Sequence, residues 1–173
     1  MISKAAVDWS AKQVAEWKRA NNKPESAERV SDSRPTNESR WQHPVPGNLK
    51  LNVDASVIAG QNSYTLGMVI RNHQGEYISG KVMRCAGRVS VLEPELEGIA
   101  EALSWAQNVT EGEVVIESDS LASVNAVQKG HENLLELGDL VQYCQDMLRA
   151  NERFMISFVR RQANRVAHEV ARI

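Results

Sequence analysis

The sequence predicts an α/β fold: a mixed five-stranded sheet, built as a three-strand antiparallel meander followed by helix and strand crossovers, and flanked by helices. Three observations lead there. From Leu49 onward, apolar and polar residues alternate through three successive runs separated by turn residues. After Pro94 the apolar spacing becomes helical and is interrupted by short apolar runs at Val114 and Phe154. With 42% hydrophobic residues in 173, the chain can bury one real core, and 5% aromatic content makes that core mainly aliphatic.

Taken in order, Ala5, Ala6, Ala11 and Ala15 with Trp9, Val14 and Trp17 suit a short helix, since Val14 and Trp17 stand three apart on one face. Asn21 to Arg40 lacks apolar periodicity and reads as a flexible linker. Residues 1–40 are therefore expected to form an N-terminal helix plus linker, and residues 41–173 the folded domain. Leu49, Leu51 and Val53 face one way and Lys50, Asn52 and Asp54 the other, which is a strand. Gly60-Gln61-Asn62 makes a turn and Tyr64 to Arg71 a second strand. Asn72-His73-Gln74-Gly75 is a tight turn into a third strand, Glu76 to Cys85. Pro94 opens a helix at a favoured first-turn position; Leu96, Ile99, Ala100, Leu103 and Ala106 form its apolar stripe. Val114 to Ile116 is a fourth strand. Asp119 or Ser120 caps the next helix, which Gly130 ends. Leu137 to Ala150 is a longer helix, Phe154 to Val159 a fifth strand, and the last helix contains Ala163, Val166, Ala167, Val170 and Ala171.

Composition excludes several classes. No apolar run approaches the roughly 20 residues of a membrane helix. Met1 to Trp9 has no apolar export segment, so an intracellular location is expected. Cys85 and Cys144 lack the partners of a zinc site and are expected to be buried thiols. With 20 Lys plus Arg against 22 Asp plus Glu, strong nonspecific binding to nucleic acid is not expected.

Three acids fall where such a sheet gathers its strand ends: Asp54 in the first strand, Glu95 in the first core helix and Asp119 after the fourth strand. If the first and fourth strands are parallel neighbours, their carboxyl ends adjoin at a common ligand-binding position. Converging carboxylates repel unless a cation compensates them, and Mg²⁺ prefers such oxygen ligands. Each acid also has a plainer reading: Asp119 as a helix cap, Glu95 as a partner of the helix dipole. Asp54 is the hardest to explain structurally, since an acid in a central strand is unfavourable without a partner.

The run Trp41 to Asp54, WQHPVPGNLKLNVD, resembles the opening of the plant ribonuclease H-like, or reverse-transcriptase-like, domain. Gly67 to Asn72 followed by Gly75 resembles its second hairpin, Glu95 with Glu101-Ala102-Leu103 its first helix, and Ile116 to Ser120 the end of its fourth strand. Arg161, Asn164, Ala167 and His168 resemble its closing signature. The likeness runs from about Trp41 to Ile173. It implies a ribonuclease H fold and a metal-dependent endonuclease that hydrolyses the RNA strand of RNA:DNA hybrids. Asp54, Glu95 and Asp119 match the metal-binding carboxylates, and His168 stands at the fourth catalytic position. The implied cofactor is Mg²⁺, with Mn²⁺ as an alternative. Asn52, Ser56, Ser118, Arg161 and Asn164 are the candidates for holding the substrate, an RNA:DNA hybrid bound with weak to moderate affinity by a monomer.

The sequence departs from the family pattern in three places. His168 stands where Asp is common, Ala55 where Gly usually follows the first acid, and Lys129 to Asp139 carries acids in place of a basic extension. Arg160, Arg161, Arg165 and Arg172 form the compensating basic cluster. The same resemblance, which extends to fragments of retroelements, allows a catalytically silent module that binds nucleic acid or a protein. A strand-transfer or exonuclease chemistry would need another acid on the last helix, where only Glu169 is available.

Overall fold

The computed structural model describes the backbone of residues 3–9 and, in full, residues 40–57, 60, 62–87, 90, 92–110, 112–130 and 137–173. Six strands and four helices are present among them: β1 (Ser3–Trp9), β2 (Leu49–Val57), β3 (Ser63–Arg71), β4 (Tyr77–Ala86), α1 (Glu93–Val109), β5 (Val114–Ser118), α2 (Leu121–Lys129), α3 (Gly138–Ala150), β6 (Phe154–Phe158) and α4 (Arg165–Ala171). They form one mixed sheet in the order β1-β4-β3-β2-β5-β6. The expected meander, β2-β3-β4, is antiparallel, while β5 and β6 join as parallel strands after helical crossovers.

Local chemistry explains the joints. In the β3–β4 turn, the Asn72 side chain accepts from the backbone N–H groups of Gln74 and Glu76, and Gly75 takes a φ of +80°. Such an Asx turn with a glycine in the left-handed region is what the Asn-x-x-Gly spacing promises. Gly130 ends α2 at φ +72°, donating to Ala126 O at 3.0 Å. Ala163, expected inside the last helix, lies in the turn before α4, where Ala163 N and Asn164 N donate to Arg160 O.

The N-terminal expectation needs correction. Over Ser3–Trp9 the chain is a strand antiparallel to β4, with Val7 opposite Val82 and Trp9 opposite Gly80. The helical expectation rests on the i, i+3 spacing of Val14 and Trp17 with alanines before them, and over Ser3–Trp9 the open hydrogen-bonding edge of β4 overrides it. Ala5, Val7 and Trp9 alternate with Lys4, Ala6 and Asp8, a strand period that the alanines mask. The rest of the expected helix, and the expected linker as far as residue 39, lie outside the described residues.

Two unequal cores result. Leu51, Val53, Leu66, Met68, Ile70 and Ile116 point from the sheet toward α1, where Leu96, Ile99 and Leu103 are fully buried. On the opposite face Val69 and Val82 pack with Val170 of α4 in a much smaller cluster. Both cysteines are buried and neither is in a disulfide, and burial pushes the Cys144 thiol up to about 12. Among the described residues no helix is long and apolar enough to cross a membrane.

Candidate active site

Strand pairing brings the acids together. In the parallel β2–β5 pair, Asn52 lies opposite Glu117 and Val53 opposite Ser118, so Asp54 stands beside the point where β5 gives way to Asp119. The turn there is held by hydroxyls: Ser118 Oγ accepts from Ser120 N at 3.1 Å, and Ser120 Oγ caps α2 by accepting from Ser123 N. Ser120 therefore does the capping, and the Asp119 carboxylate is left for other partners.

Two glycines let the helices approach closely enough to complete the cluster. A Cβ on Gly98, one turn after Glu95, would stand 3.0 Å from Val53 Cγ2, so α1 lies tight on β2. That approach brings Glu95 to the backbone of Ala55. On the other face a Cβ on Gly67, which pairs with Asp54, would run into Ala171 N and stand 2.8 Å from Ala167 O. No side chain fits there, and α4 consequently lies against the sheet with His168 over Asp54.

The polar side chains of that face form one continuous network. His168 Nδ1 is 2.9 Å from Asp54 Oδ2, and Arg161 Nη2 lies 2.9 Å from His168 Nε2. The same guanidinium nitrogen is 3.2 Å from His168 Nδ1, so Arg161 lies against the imidazole ring, between it and solvent, while the ring's Nδ1 meets Asp54. Asn164 Nδ2 donates to Val53 O at 2.8 Å and to Asp119 Oδ1 at 3.0 Å. Asn52 Nδ2 donates to Asn164 Oδ1 at 3.1 Å and to Glu117 Oε2 at 2.8 Å. Arg71 Nη2 donates to Asn52 Oδ1, and Lys50 Nζ pairs with Glu117 Oε1 at 2.6 Å.

The acids perturb one another. Burial, opposed by the His168 hydrogen bond and aided by Asp119, raises Asp54 to about 6. Glu95 is raised to about 8, first by burial and then by the charges of Asp54 and Asp119, with Arg161 and the Ala55 backbone acting against the shift. Three hard oxygen donors from three separate elements, whose negative charges are incompletely compensated, are a donor set suited to a divalent cation. As placed, no three His, Cys, Asp or Glu side chains among the described residues stand as a closed ligand set. An ion would have to draw the carboxylates together.

The candidate substrate residues divide by exposure. Asn52, Ser118 and Asn164 have no accessible surface, and their side chains are hydrogen-bonded inside the protein. Arg161 is exposed beside His168. Ser56 is partly exposed and shares the Asp54 face of β2, lining a cleft with Thr65 and Arg84. Sequence reading missed Glu117, Lys50 and Arg71, which anchor the far end of the network, and the packing role of Gly67 and Gly98. The Glu117 pairing depends on the β2–β5 register, which alternation within either strand does not contain.

Comparison with known proteins places these observations. The sequence profile of the reverse transcriptase-like family matches residues 52–173. A curated Arabidopsis thaliana relative, provisionally named a ribonuclease H protein, is 29% identical over 131 residues, which are 76% of this chain. The match spans only 21% of that relative's length. Among solved structures, RNase H1 from the archaeon Halobacterium salinarum superposes with a TM-score of 0.64 at 17% identity, covering 73% of this chain and 96% of that one. LC11-RNase H1, isolated from compost and solved with an RNA/DNA hybrid, gives 0.62 at 16% identity, covering 72% and 94%. At these identities the structures establish a shared fold, and strands β2 to β6 of the mixed sheet with their helices are that fold.

Proposed function

We propose that this chain, which belongs to the reverse transcriptase-like family, is a metal-dependent endonuclease that hydrolyses the RNA strand of RNA:DNA hybrids. The observation that carries the reading is the convergence of Asp54, Glu95 and Asp119 from β2, α1 and the end of β5 into mutual electrostatic contact. These three would hold Mg²⁺ or Mn²⁺. When bound, a pair of such ions supplies an activated water and charge stabilisation at the leaving oxygen. The water oxygen bonds to phosphorus as the bridging P–O bond breaks, so no protein nucleophile is required.

The other residues orient. Asn164 fixes one oxygen of Asp119 and the carbonyl of Val53 at once, which locks the amide and the carboxylate together. His168, in contact with Arg161, fixes one oxygen of Asp54. Arg161 and Ser56, the accessible candidates, would meet the substrate, while Asn52, Ser118 and Asn164 support the acids from beneath. Selection of RNA would come from contacts to the 2′-hydroxyl in the shallow minor groove of the hybrid. A net charge of −2 keeps the affinity for hybrid weak to moderate.

A second reading, binding of nucleic acid without cleavage, is favoured by one feature. His168 brings no negative charge to the fourth position and instead occupies an oxygen of Asp54. Incubation of labelled RNA:DNA hybrid with Mg²⁺ or Mn²⁺, against duplex DNA and duplex RNA, separates the two. Metal-dependent cleavage confined to the RNA strand supports the nuclease. Binding without cleavage supports the silent module, and neither would overturn both.

A further inference from the structure

Beyond the acids, on the other side of the 161–164 turn, lies a second feature of the same sheet face. A cleft of about 400 Å³ is bounded by Arg40, Trp41, Lys50, Glu117, Phe158 and Arg160. That volume is within the usual range of ligand pockets. We infer that this cleft is a subsite for an unpaired nucleotide in a single-stranded extension of the substrate, its base against the aromatic rings and its phosphate on the rim arginines. The inference rests on the nuclease reading for its location and extends it to a preference among substrates.

Charge is the first argument. The one acid in the cleft, Glu117, is 3% exposed and has both oxygens engaged, by Lys50 at 2.6 Å and by Asn52 at 2.8 Å. Its negative charge is thus neutralised within the wall. The exposed charged residues that line the cleft, Arg40 and Arg160, are both cationic. A phosphate suits such a rim, and the rings beside it suit a base.

The rings are the second argument. Phe158, the last residue of β6, is 40% exposed although it borders a cleft. Trp41 is backed by the Arg71 guanidinium 3.6 Å from its ring, a cation–π stack that fixes the indole. Trp41 Nε1 and Arg71 Nε are both buried with no hydrogen-bond partner among the described residues. Aromatic side chains next to cations are the recurring platform for unpaired bases, because every base has a π face. In a fully paired hybrid the bases are stacked on each other, so this platform suits a strand that continues beyond the duplex.

Position is the third argument. Lys50 and Asp54 lie four residues apart on one face of β2, about 13 Å at 3.3 Å per residue. That is roughly four nucleotides of duplex rise. Arg161 lies on the acid side of the intervening turn and Arg160 on the cleft side, so consecutive arginines serve both ends of one path.

The test uses the full chain in EDTA, with fluorescence anisotropy on a blunt RNA:DNA hybrid, the same hybrid with an eight-nucleotide extension at either end of either strand, and the extension alone. We expect one extension to tighten binding on the order of tenfold. Phe158→Ala and Phe158→Leu should remove that gain while leaving the blunt hybrid bound as in wild type. The leucine variant keeps the apolar bulk, so loss in both reports the ring and not misfolding. Arg160→Gln should weaken binding of the extended hybrid and reduce its salt dependence. Equal affinity for blunt and extended hybrids, or a gain that survives both Phe158 variants, overturns the subsite and leaves the nuclease reading standing. Phe158-dependent binding of the single strand without binding of the blunt hybrid, and without cleavage of that hybrid once Mg²⁺ or Mn²⁺ replaces the EDTA, keeps the subsite and overturns the nuclease.

Discussion

Strand β2 borders two interiors of equal depth and opposite chemistry. Leu51 and Val53, at 0% and 2% exposure, face the aliphatic core under α1; Asn52 and Asp54, at 0% and 3%, face the polar network under α4. An apolar side chain gains by leaving water, whereas a carboxylate at the same depth loses hydration that only well-placed partners restore. Restoration here is partial, since Asp54 remains raised to about 6 despite its hydrogen bond from His168. The α1 side stabilises the fold, and the α4 side carries strained electrostatics that the proposed nuclease would use.

The sharpest way to break that comparison is to change one residue on each side of the same strand. Leu51→Ala should destabilise the protein by about 2–5 kcal/mol, through lost burial and the cavity left behind. Asp54→Asn should leave the metal-free protein equally stable or more stable at pH 8, because the amide keeps the size of the carboxylate without its charge. It should also abolish metal-dependent cleavage of the hybrid. Urea denaturation in EDTA, with a cleavage assay on the same preparations, measures both. If Asp54→Asn unfolds the protein as readily as Leu51→Ala, the carboxylate is structural and the contrast between the faces disappears.

Titration should separate the faces next. Glu95 at about 8 and Asp54 at about 6 both lie above their ordinary values, so the folded protein binds more protons than the unfolded chain in the interval between. Their contribution is fully present below about pH 4 and is lost as pH rises through 6 and then 8. Each pKa unit corresponds to about 1.4 kcal/mol. Because Glu95 is partly exposed and solvent screens it, we expect a total loss on the order of a few kcal/mol in EDTA. Glu95→Gln should flatten most of that slope. Mg²⁺ should oppose it, binding more tightly at pH 8 than at pH 6 and releasing protons, which calorimetry in buffers of different ionisation enthalpy detects. A stability profile flat from pH 5 to 8 would show that the acids do not share one site.

Gly67→Ala probes how α4 is held. The added methyl meets backbone atoms of Ala167 and Ala171, which flank His168, and backbone cannot step aside as a side chain tip can. Overpacking of this kind costs about 1–3 kcal/mol. Because the shift lifts His168 and Asn164 from Asp54 and Asp119, cleavage should fall by more than the loss of folded protein explains. Circular dichroism melting alongside specific activity distinguishes the two.

Much of this was legible in the sequence where a signal is local. Alternation gave Leu51 and Asp54 opposite faces, Asn72 and Gly75 announced their turn, and the spacing of acids and strand ends singled out Asp54, Glu95 and Asp119. What escaped depends on partners distant in the chain. Lys50, Asn52 and Glu117 meet only because β2 and β5 run parallel in one register. Ser3–Trp9 is a strand because β4 offers an edge, and its alanines suggested a helix. Deleting residues 1–39 therefore exposes that edge. The melting temperature should drop only by what about 1 kcal/mol produces in a domain of this size, a few degrees. Sedimentation should reveal concentration-dependent self-association through the uncovered β4. Collapse of the fold on deletion would mean that the N-terminal segment belongs to one of the two interiors.

The smallest expected effect sits at the seam between stability and chemistry, at His168. The imidazole is hydrogen-bonded to Asp54 and brings no negative charge to a cluster that already repels itself. His168→Asp puts a fourth carboxylate there, and Arg161, now beside His168 Nε2, would compensate part of it. In EDTA the added charge should lower stability slightly, since like charges at this depth raise one another's pKa values. With Mg²⁺ the same charge attracts the ion through another oxygen ligand, and binding should tighten several-fold, less than about 1.4 kcal/mol because Arg161 shields it. Calorimetric titration of Mg²⁺ into wild type and variant at pH 8, paired with melting in EDTA, reads the two opposing signs in one experiment. Unchanged affinity together with unchanged stability would place His168 outside the electrostatic reach of the acids, despite its 2.9 Å contact with Asp54.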